Sequence, residues 1–574
     1  MLRIENLSKT YRSKDRNIAA LKNISFSAEP GEIVGLVGRS GGGKSTLMKI
    51  LRGMEGFDSG KIQLDGFTLT PDSGADAVRD QMACTAIHLQ RDFALWTESA
   101  LNNVVRRIYS RTSGYEVLPI PENPEYEEIH KEAMYYLRLV GLEKKALHLA
   151  TILSGGEKQR LLIARQLAKK PKILLLDEPA TMACPSTKQE VLDAIKNANR
   201  ELKLTTILVS HLPEVHEYLA SRLIWIEKGE IIADGKTREV LDRFMAGVGN
   251  LEPLASRQNA LPLIRVRGLC KRNYLVGPGE VLKVENLNFD ILEGEITSII
   301  GNSGGGKTTI LKIMQGLKVP DSGSMFFRYK DKWVDMLTYS PERMNVRRTL
   351  GIMYQEFALY QGERIIDQIA YQLGVKGMNV IENARAVAEE LDISDKVLDL
   401  LYTLTDMSEE DAKAAFESLG LTRDIFQELF PRFPTTEARR FAEPIFELMS
   451  LDRDVMWKLP EELSGGERVR ASLAILLAAK PEILILDEPF GDIDPITLRE
   501  VSNAIKKINA EYGTTVILAS HHLDFVKEVS HRAMLIESGS LIADGEPAEI
   551  CRAFLARCNV PYLKPSAERC SIHG

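Results

Sequence analysis

The sequence has little that would tie it to a membrane, an oxidising compartment or a bound metal. Its 574 residues include six cysteines: Cys84, Cys184, Cys270, Cys551, Cys558 and Cys570. No two form a C-x-x-C pair or another zinc-ligand spacing, and disulfide frameworks belong to short secreted chains. Reduced thiols and a cytoplasmic location are therefore expected. Long hydrophobic runs are also absent. One of the longest uncharged apolar stretches, residues 471–479, falls far short of the ~20 residues that cross a bilayer. The opening Met1-Leu2-Arg3-Ile4-Glu5-Asn6 lacks the basic flank and apolar core of a secretory leader, so no membrane insertion is expected. Strong charge is missing too. A net charge of -7 argues against a surface that grips nucleic acid throughout, and no nucleic-acid partner is expected. What is present is ordinary globular material: 44% hydrophobic and 27% charged residues, enough for several domains or two large ones.

The chain says the same thing twice. Gly38-Arg39-Ser40-Gly41-Gly42-Gly43-Lys44-Ser45-Thr46 returns as Gly301-Asn302-Ser303-Gly304-Gly305-Gly306-Lys307-Thr308-Thr309. Leu153-Ser154-Gly155-Gly156-Glu157 returns as Leu463-Ser464-Gly465-Gly466-Glu467, Asp177-Glu178 as Asp487-Glu488, and Ser210-His211 as Ser520-His521. The offset is 263 at the lysines, 265 from Gln90 to Gln355, and 310 from the signature serines onward, so the second copy carries 45 extra residues between Gln355 and Ser464. Residues 1–248 and 263–560 form the two modules. The glycine- and proline-bearing stretch 249–262 reads as a loop-like linker, and 561–574 as a tail whose polar end, 567–574, is expected to fray.

Each motif has a chemistry. A G-x-x-x-x-G-K-[ST] loop between a strand and a helix turns successive backbone N–H groups toward one anion, and the helix adds its positive end. Lys44 and Lys307 would reach the β/γ-phosphates of ATP; Ser45 and Thr308 would ligate Mg²⁺. Asp177 and Asp487 end apolar strands, where a carboxylate can hold the same metal. Neighbouring strand residues point to opposite sides, so Glu178 and Glu488 can address the attacking water as catalytic bases. Apolar runs ending in polar residues, alternating with helices, imply an α/β fold with a mostly parallel sheet and its site along one edge.

Leu-Ser-Gly-Gly-Glu, found twice and each time 24 positions before an Asp-Glu pair, carries a resemblance to the ATP-binding cassette (ABC) family. It extends over nearly the whole chain. It implies two P-loop cassettes, each with a helical subdomain and an antiparallel N-terminal β-subdomain, working as an intramolecular head-to-tail pair. The Gly38 loop would then share one ATP with Ser464-Gly465-Gly466, and the Gly301 loop another with Ser154-Gly155-Gly156. The resemblance also implies that Gln90 and Gln355 sense Mg²⁺ and water, that His211 and His521 contact the γ-phosphate, and that Tyr11 and Tyr274 stack on adenine.

The halves differ in two places. After the catalytic glutamate the family has a segment ending in Leu-Asp-Pro. The second half has Ile493-Asp494-Pro495, but the first has Ala183-Cys184-Pro185, so either the substitution is tolerated or the site borrowing that loop is less well coupled. The extra material, about residues 376–458, is acidic and helical in pattern. Ser408-Glu409-Glu410-Asp411 reads as a capped helix start followed by Ala412, Ala415, Phe416 and Leu419 at helical spacing. It reads as a docking surface for a protein partner or as an enlarged helical subdomain.

All readings share ATP hydrolysis, and they differ in what it drives: an importer's membrane permease, a ribosome-associated translation step, or the activation of a soluble enzyme. The short linker and the lack of an N-terminal iron–sulfur segment disfavour the second, and two intact cassettes weaken the first. A closer resemblance favours the third. Gly351-Ile352-Met353-Tyr354-Gln355-Glu356-Phe357-Ala358-Leu359-Tyr360, Gly491-Asp492-Ile493-Asp494-Pro495 and Ser520-His521-His522-Leu523-Asp524-Phe525 are similar to segments of the component A-two family of the methyl-coenzyme M reductase activation system. That implies a soluble ATPase of methanogenesis, with the reductase and its activation complex as partners. Gln361-Gly362-Glu363-Arg364 departs from that family's pattern.

Overall fold

Both halves build the same pair of sheets. The computed structural model describes residues 1–12, 17–88, 95–180, 184–256, 260–274, 281–302, 304–354, 359–407, 412, 414, 423–488, 490, 493–558 and 560–563. The first half contributes β1 (Leu2–Arg12), β2 (Asn17–Ala28), β3 (Ile33–Val37), β4 (Ser59–Leu64), β5 (Phe67–Leu69), β6 (Thr85–His88), β7 (Ile173–Asp177), β8 (Thr205–Val209), β9 (Arg222–Glu227) and β10 (Glu230–Lys236). They form an antiparallel sheet, β2-β1-β4-β5, and a six-stranded sheet, β10-β9-β3-β8-β7-β6. The second half repeats both with β11 (Pro262–Tyr274), β12 (Val281–Leu292), β13 (Ile296–Ile300), β14 (Ser322–Tyr329), β15 (Lys332–Asp335), β16 (Leu350–Met353), β17 (Ile483–Asp487), β18 (Thr515–Ala519), β19 (Arg532–Glu537) and β20 (Ser540–Gly545). Their orders are β12-β11-β14-β15 and β16-β17-β18-β13-β19-β20. The fold is α/β, as the sequence implies.

In the six-stranded sheets only β10 and β20 run antiparallel. The five parallel strands of each are covered on both faces, which is why β3, β8, β13, β17 and β18 are buried at every position and read as unbroken apolar runs. The order places β3 between β8 and β9, and β7 beside β8. The chain therefore leaves β3, β7 and β8 at one edge of the sheet, the C-terminal edge where α/β proteins hold ligands.

The helical parts differ. The first half packs Ala100–Ser113, Tyr126–Leu139 and Gly155–Leu167; the second packs the corresponding Ile365–Lys376, Thr435–Leu448 and Gly465–Ala478. Between the first two of these the second half adds Val380–Glu390, Asp395–Leu404 and Arg423–Leu429, which close over a core of their own that includes Ile381, Leu398, Leu401, Tyr402 and Phe430. The helix start at Ser408-Glu409-Glu410-Asp411, with Ala415, Phe416 and Leu419, lies outside the described residues.

The chain divides into two compact units: Met1–Val248 with Asp494–Ile496 and Cys558–Gly574, and Gly249–Ile493 with Thr497–Arg557. The start of the tail is held. Pro561–Leu563 form a 3₁₀ turn in the first unit, where the Tyr562 ring is buried and its N–H donates to Gln189 Oε1 at 2.8 Å. One aromatic ring supplies the apolar area that the otherwise polar tail lacks. Residues 564–574 are outside the described residues. The linker is held as well: in the second unit Asn503 Nδ2 donates to Asn250 O, and Lys506 Nζ to Glu252 O, each at 2.8 Å.

Candidate functional site

The two glycine loops have one geometry. Gly38 (φ 154°) and Gly301 (φ 150°) leave β3 and β13 so close to the neighbouring strand that a Cβ would lie 2.0 Å from Ile226 O or Ile536 O. No other residue fits there. Each loop turns back on itself, Gly42 N–H donating to Arg39 O at 3.0 Å and Gly305 N–H to Asn302 O at 3.1 Å. Lys44 Nζ then donates to Gly38 O and Arg39 O at 2.6 and 3.0 Å, and Lys307 Nζ to Gly301 O and Asn302 O at 2.9 and 3.1 Å. Both ammonium groups sit inside the loop, buried, at the start of helices Lys44–Arg52 and Lys307–Met314. Ser45 and Thr308, next in each helix, face solvent; Thr46 and Thr309 are half-buried. Ser303 is outside the described residues.

The paired carboxylates stand at the ends of β7 and β17, two strands over, beyond β8 and β18. Thr308 Oγ1 donates to Asp487 Oδ1 at 3.2 Å, which brings a hydroxyl and a carboxylate to one point. Glu178 and Glu488 take left-handed backbone (φ 52° and 48°), and their N–H groups donate to Val209 O and Ala519 O at 3.0 Å. Non-glycine residues in that region are few and gather at functional sites. The histidines arrive from β8 and β18. His521 Nε2 lies 2.8 Å from Glu488 Oε1, whereas His211 Nε2 lies 3.7 Å from Glu178 Oε1. Lys307 Nζ is 3.7 Å from Glu488 Oε1. The structure thus brings together lysine, hydroxyl, Asp, Glu and His at one sheet edge in each unit.

Charge inside these clusters is unbalanced. Burial lifts the Asp177 carboxyl above its ordinary range, Lys44 opposing. Burial, then the neighbouring Glu488, lifts Asp487 to about 6. Burial acts the same way on Glu488, but the hydrogen bond from His521 and the charges of His521 and Lys307 outweigh it and hold that carboxyl below its ordinary value. Burial, with Lys44 adding, pushes His211 down to about 4. A cation beside Asp177 or Asp487 would relieve the burial cost, and a hydroxyl stands ready beside Asp487; the donor set fits Mg²⁺.

The signature segments are helix starts. Ser154 Oγ accepts the Glu157 N–H at 3.3 Å while Glu157 Oε2 accepts the Ser154 N–H at 2.9 Å, and Ser464 and Glu467 do the same. This capping box leaves Gly155 and Gly465 exposed at the positive helix end. Gly156 and Gly466 are buried, and a Cβ on them would lie 2.0 and 2.8 Å from the side chains of Thr187 and Thr497. The Cys184 loop differs from its partner. Asp494 Oδ1 accepts the Ile496 N–H at 3.2 Å, whereas the buried Cys184 stands at the helix N-cap with no side-chain capping bond, its Sγ 3.2 Å from Ser186 Oγ and Thr187 Oγ1.

Tyr11 ends β1, partly exposed, with Lys9 Nζ 5.3 Å from its ring centroid. Tyr274 ends β11. Gln90 and Gln355 lie outside the described residues. Sequence reasoning missed Ser210, whose Oγ donates to Glu178 Oε2 at 3.3 Å, although the Ser-His repeat contained the signal. It also gave no role to Tyr354, Arg347, Lys376 or Asp406, whose partners are far apart in sequence.

The fold and these clusters define a twin-cassette P-loop protein with two nucleotide-binding units. The family model for the ABC transporter matches residues 21–181 and 284–491, and the chain belongs to that family. It is 45% identical, over 98% of both chains, to an uncharacterized ABC transporter ATP-binding protein of Methanocaldococcus jannaschii, and 33% identical, over 96% of both, to a second from the same organism. Among solved structures, RNase-L Inhibitor covers 96% of this chain with 93% of its own, at TM-score 0.57 and 19% identity, a likeness of fold. Among the described residues no helix is long and apolar enough to cross a membrane.

Proposed function

We propose that the chain is an ATPase that couples ATP binding and hydrolysis in its two cassettes to conformational work on a protein partner. The observation that carries this is the mirrored cluster of buried lysine, Asp-Glu pair and histidine at the sheet edge of both units. Lys44 and Lys307 bind the β/γ-phosphates with the loop N–H groups. Asp177 with Ser45, and Asp487 with Thr308, hold Mg²⁺, which when bound supplies positive charge between the phosphates. Gln90 and Gln355 join that metal and water site, and Tyr11 and Tyr274 take the adenine. Glu178 and Glu488 accept the proton of the attacking water; the depressed value of Glu488 keeps it ionised for that task. His211 and His521 orient the glutamate and the γ-phosphate.

The signature segments, Ser154-Gly155-Gly156 and Ser464-Gly465-Gly466, whose serine and first glycine are exposed, would each close on the phosphate held by the other cassette. The partner we favour is methyl-coenzyme M reductase and its activation complex, ATP driving the reductive activation of that enzyme. The segment similarity around Tyr354 and His521 supports this, as does the extra helical region. Residues 376–458 hold 18 acidic and 10 basic side chains, a net -8 set against -7 for the whole chain, an excess of acid suited to a basic partner. A second reading, the ATP-binding subunit of an importer with a separate permease, is supported by the relatives' description as ABC transporter ATP-binding proteins.

The unmodified chain should hydrolyse ATP. Glu178→Gln with Glu488→Gln should retain bound ATP and lose ~10²–10⁴-fold in turnover, as when a general base is removed. Near-normal turnover in that variant would take the glutamates out of this role. Copurification then separates the readings: reductase subunits support activation, a permease supports import, and ribosomes support translation.

A further inference from the structure

The helices that only the second cassette carries are wired into its phosphate-loop machinery. Helix Lys307–Met314 ends at Gln315 and Gly316, both at the base of the glycine loop's helix. The Gly316 carbonyl accepts from Arg347 Nη2 at 3.1 Å. Arg347 is fully buried, and its other terminal nitrogen donates to Thr403 Oγ1 and, at 3.5 Å, to Asp399 O, both on the added helix Asp395–Leu404. A second tie lies at the end of β16, which pairs with the strand carrying Asp487. There the Tyr354 hydroxyl donates to the Asp406 carbonyl and lies 3.5 Å from Gln315 Oε1. Asp406 is fixed in turn by Lys376: the two are buried, with Nζ 2.5 Å from Oδ1, and Lys376 also donates to Arg347 O at 2.9 Å.

The first cassette closes the same helix end without any added element. Gln81 Nε2 donates to Ile50 O and Leu51 O, and Arg52 donates to Met82 O, all between neighbouring pieces of one small region. In the second cassette the position corresponding to Arg52 holds Gln315, and the closure passes through Asp406, 91 positions further along the chain.

We propose that helix Asp395–Leu404 and its turn through Asp406 are a positioning element of the second cassette's ATP site, acting through Tyr354 on Gln315 and through Arg347 on Gly316, both at the end of the phosphate-loop helix that carries Thr308. Tyr354, Arg347, Lys376 and Asp406 are positioning residues; none touches the nucleotide. The arrangement lets whatever engages the added helices set the geometry of one ATP site and not the other. The physical basis is a close-packed, mostly buried hydrogen-bond network, in which a shift of one member is passed to the next. The inference rests on the reading of the second cassette as an ATP hydrolase.

The test uses the full chain in a Glu178→Gln background, so that turnover comes from the second cassette. Tyr354→Phe removes one hydroxyl. It should lower kcat about five-fold, the loss of one buried hydrogen bond. It should also raise the Mg²⁺ concentration at half-maximal rate several-fold and leave KM for ATP within two-fold. In a Glu488→Gln background the same substitution should leave turnover and Mg²⁺ dependence within two-fold. A merely structural tyrosine would alter neither the Mg²⁺ dependence nor one cassette alone. Amide hydrogen exchange on the unmodified chain gives an independent reading: Mg²⁺ and ATP should slow exchange in residues 395–406, and Lys307→Ala should abolish that effect while Lys44→Ala leaves it. Protection of helix Lys307–Met314 by nucleotide without any change in residues 395–406, or an unaltered Tyr354→Phe, overturns the proposal. Absence of nucleotide protection in both segments, with no turnover in the unmodified chain, removes the hydrolase reading and this inference with it.

Discussion

At the residue scale the two sites are alike in composition and unlike in charge. His521 is in hydrogen-bond reach of Glu488, while His211 stands 3.7 Å from Glu178 and burial keeps it neutral. Asp487 titrates near 6 in the folded chain against an ordinary 3.8. A raised carboxyl stabilises the fold only while protonated, so its contribution is complete below about pH 3.8 and is lost as pH rises to about 6. Asp487→Asn does not titrate. Its stability relative to the unmodified chain should therefore grow from pH 4 to pH 7, to about 1–3 kcal/mol without Mg²⁺, and level off above. Thermal unfolding across that range checks this; a difference that stays flat with pH would show that Asp487 is not strained. Saturating Mg²⁺ with ATP should shrink the advantage, because the metal neutralises the charge that asparagine removes.

At the scale of elements, the helices added to the second cassette meet the rest of that unit through buried polar groups. Tyr402 OH donates to Val375 O at 3.0 Å, and Lys376 lies 5.0 Å from the Tyr402 ring centroid besides its pair with Asp406. Burial pulls the Lys376 ammonium below its ordinary value even with the carboxylate beside it. Removing one partner leaves the other charge stranded. Lys376→Met should thus destabilise the second unit by about 3–5 kcal/mol, and Lys376→Met with Asp406→Leu by clearly less. Urea unfolding of the three chains decides this; a double variant no more stable than Lys376→Met would show that Asp406 is not left stranded by the loss of its partner. Little of this was legible beforehand. The offset of 45 residues located the insertion, and its acidity is plain in the sequence, yet the periodicity around Ser408 says nothing of which carbonyl Tyr354 would find.

At the scale of the molecule, the two compact units do not coincide with the two halves of the sequence. Asp494–Ile496 and the stretch beginning at Cys558 belong to the first unit, where Ile496 packs with Val37, Leu223 and Phe244, and Tyr562 is buried. A chain cut between Val248 and Gly249 should therefore give a first fragment that melts below the same unit in the intact protein. Adding the second fragment should restore the higher transition. Neither fragment, shown to be monomeric, should hydrolyse ATP at the parent rate. Parent-rate turnover by one monomeric fragment would end the idea that each ATP needs both cassettes.

The sequence by itself determined the duplicated α/β architecture, the loops, the strand-ending carboxylates and the membership of a nucleotide-binding family. These follow from local rules: a close backbone approach that admits only glycine, doubly covered strands that must be apolar, and a helix start that needs Ser and Glu three apart. Tertiary structure alone decided the rest. It set how near each histidine stands to its glutamate, where Tyr562 docks, and that Arg347 and Tyr354 tie a distant helix to the phosphate-loop helix. Those outcomes depend on distances between residues far apart in the chain, and no periodicity or motif records them.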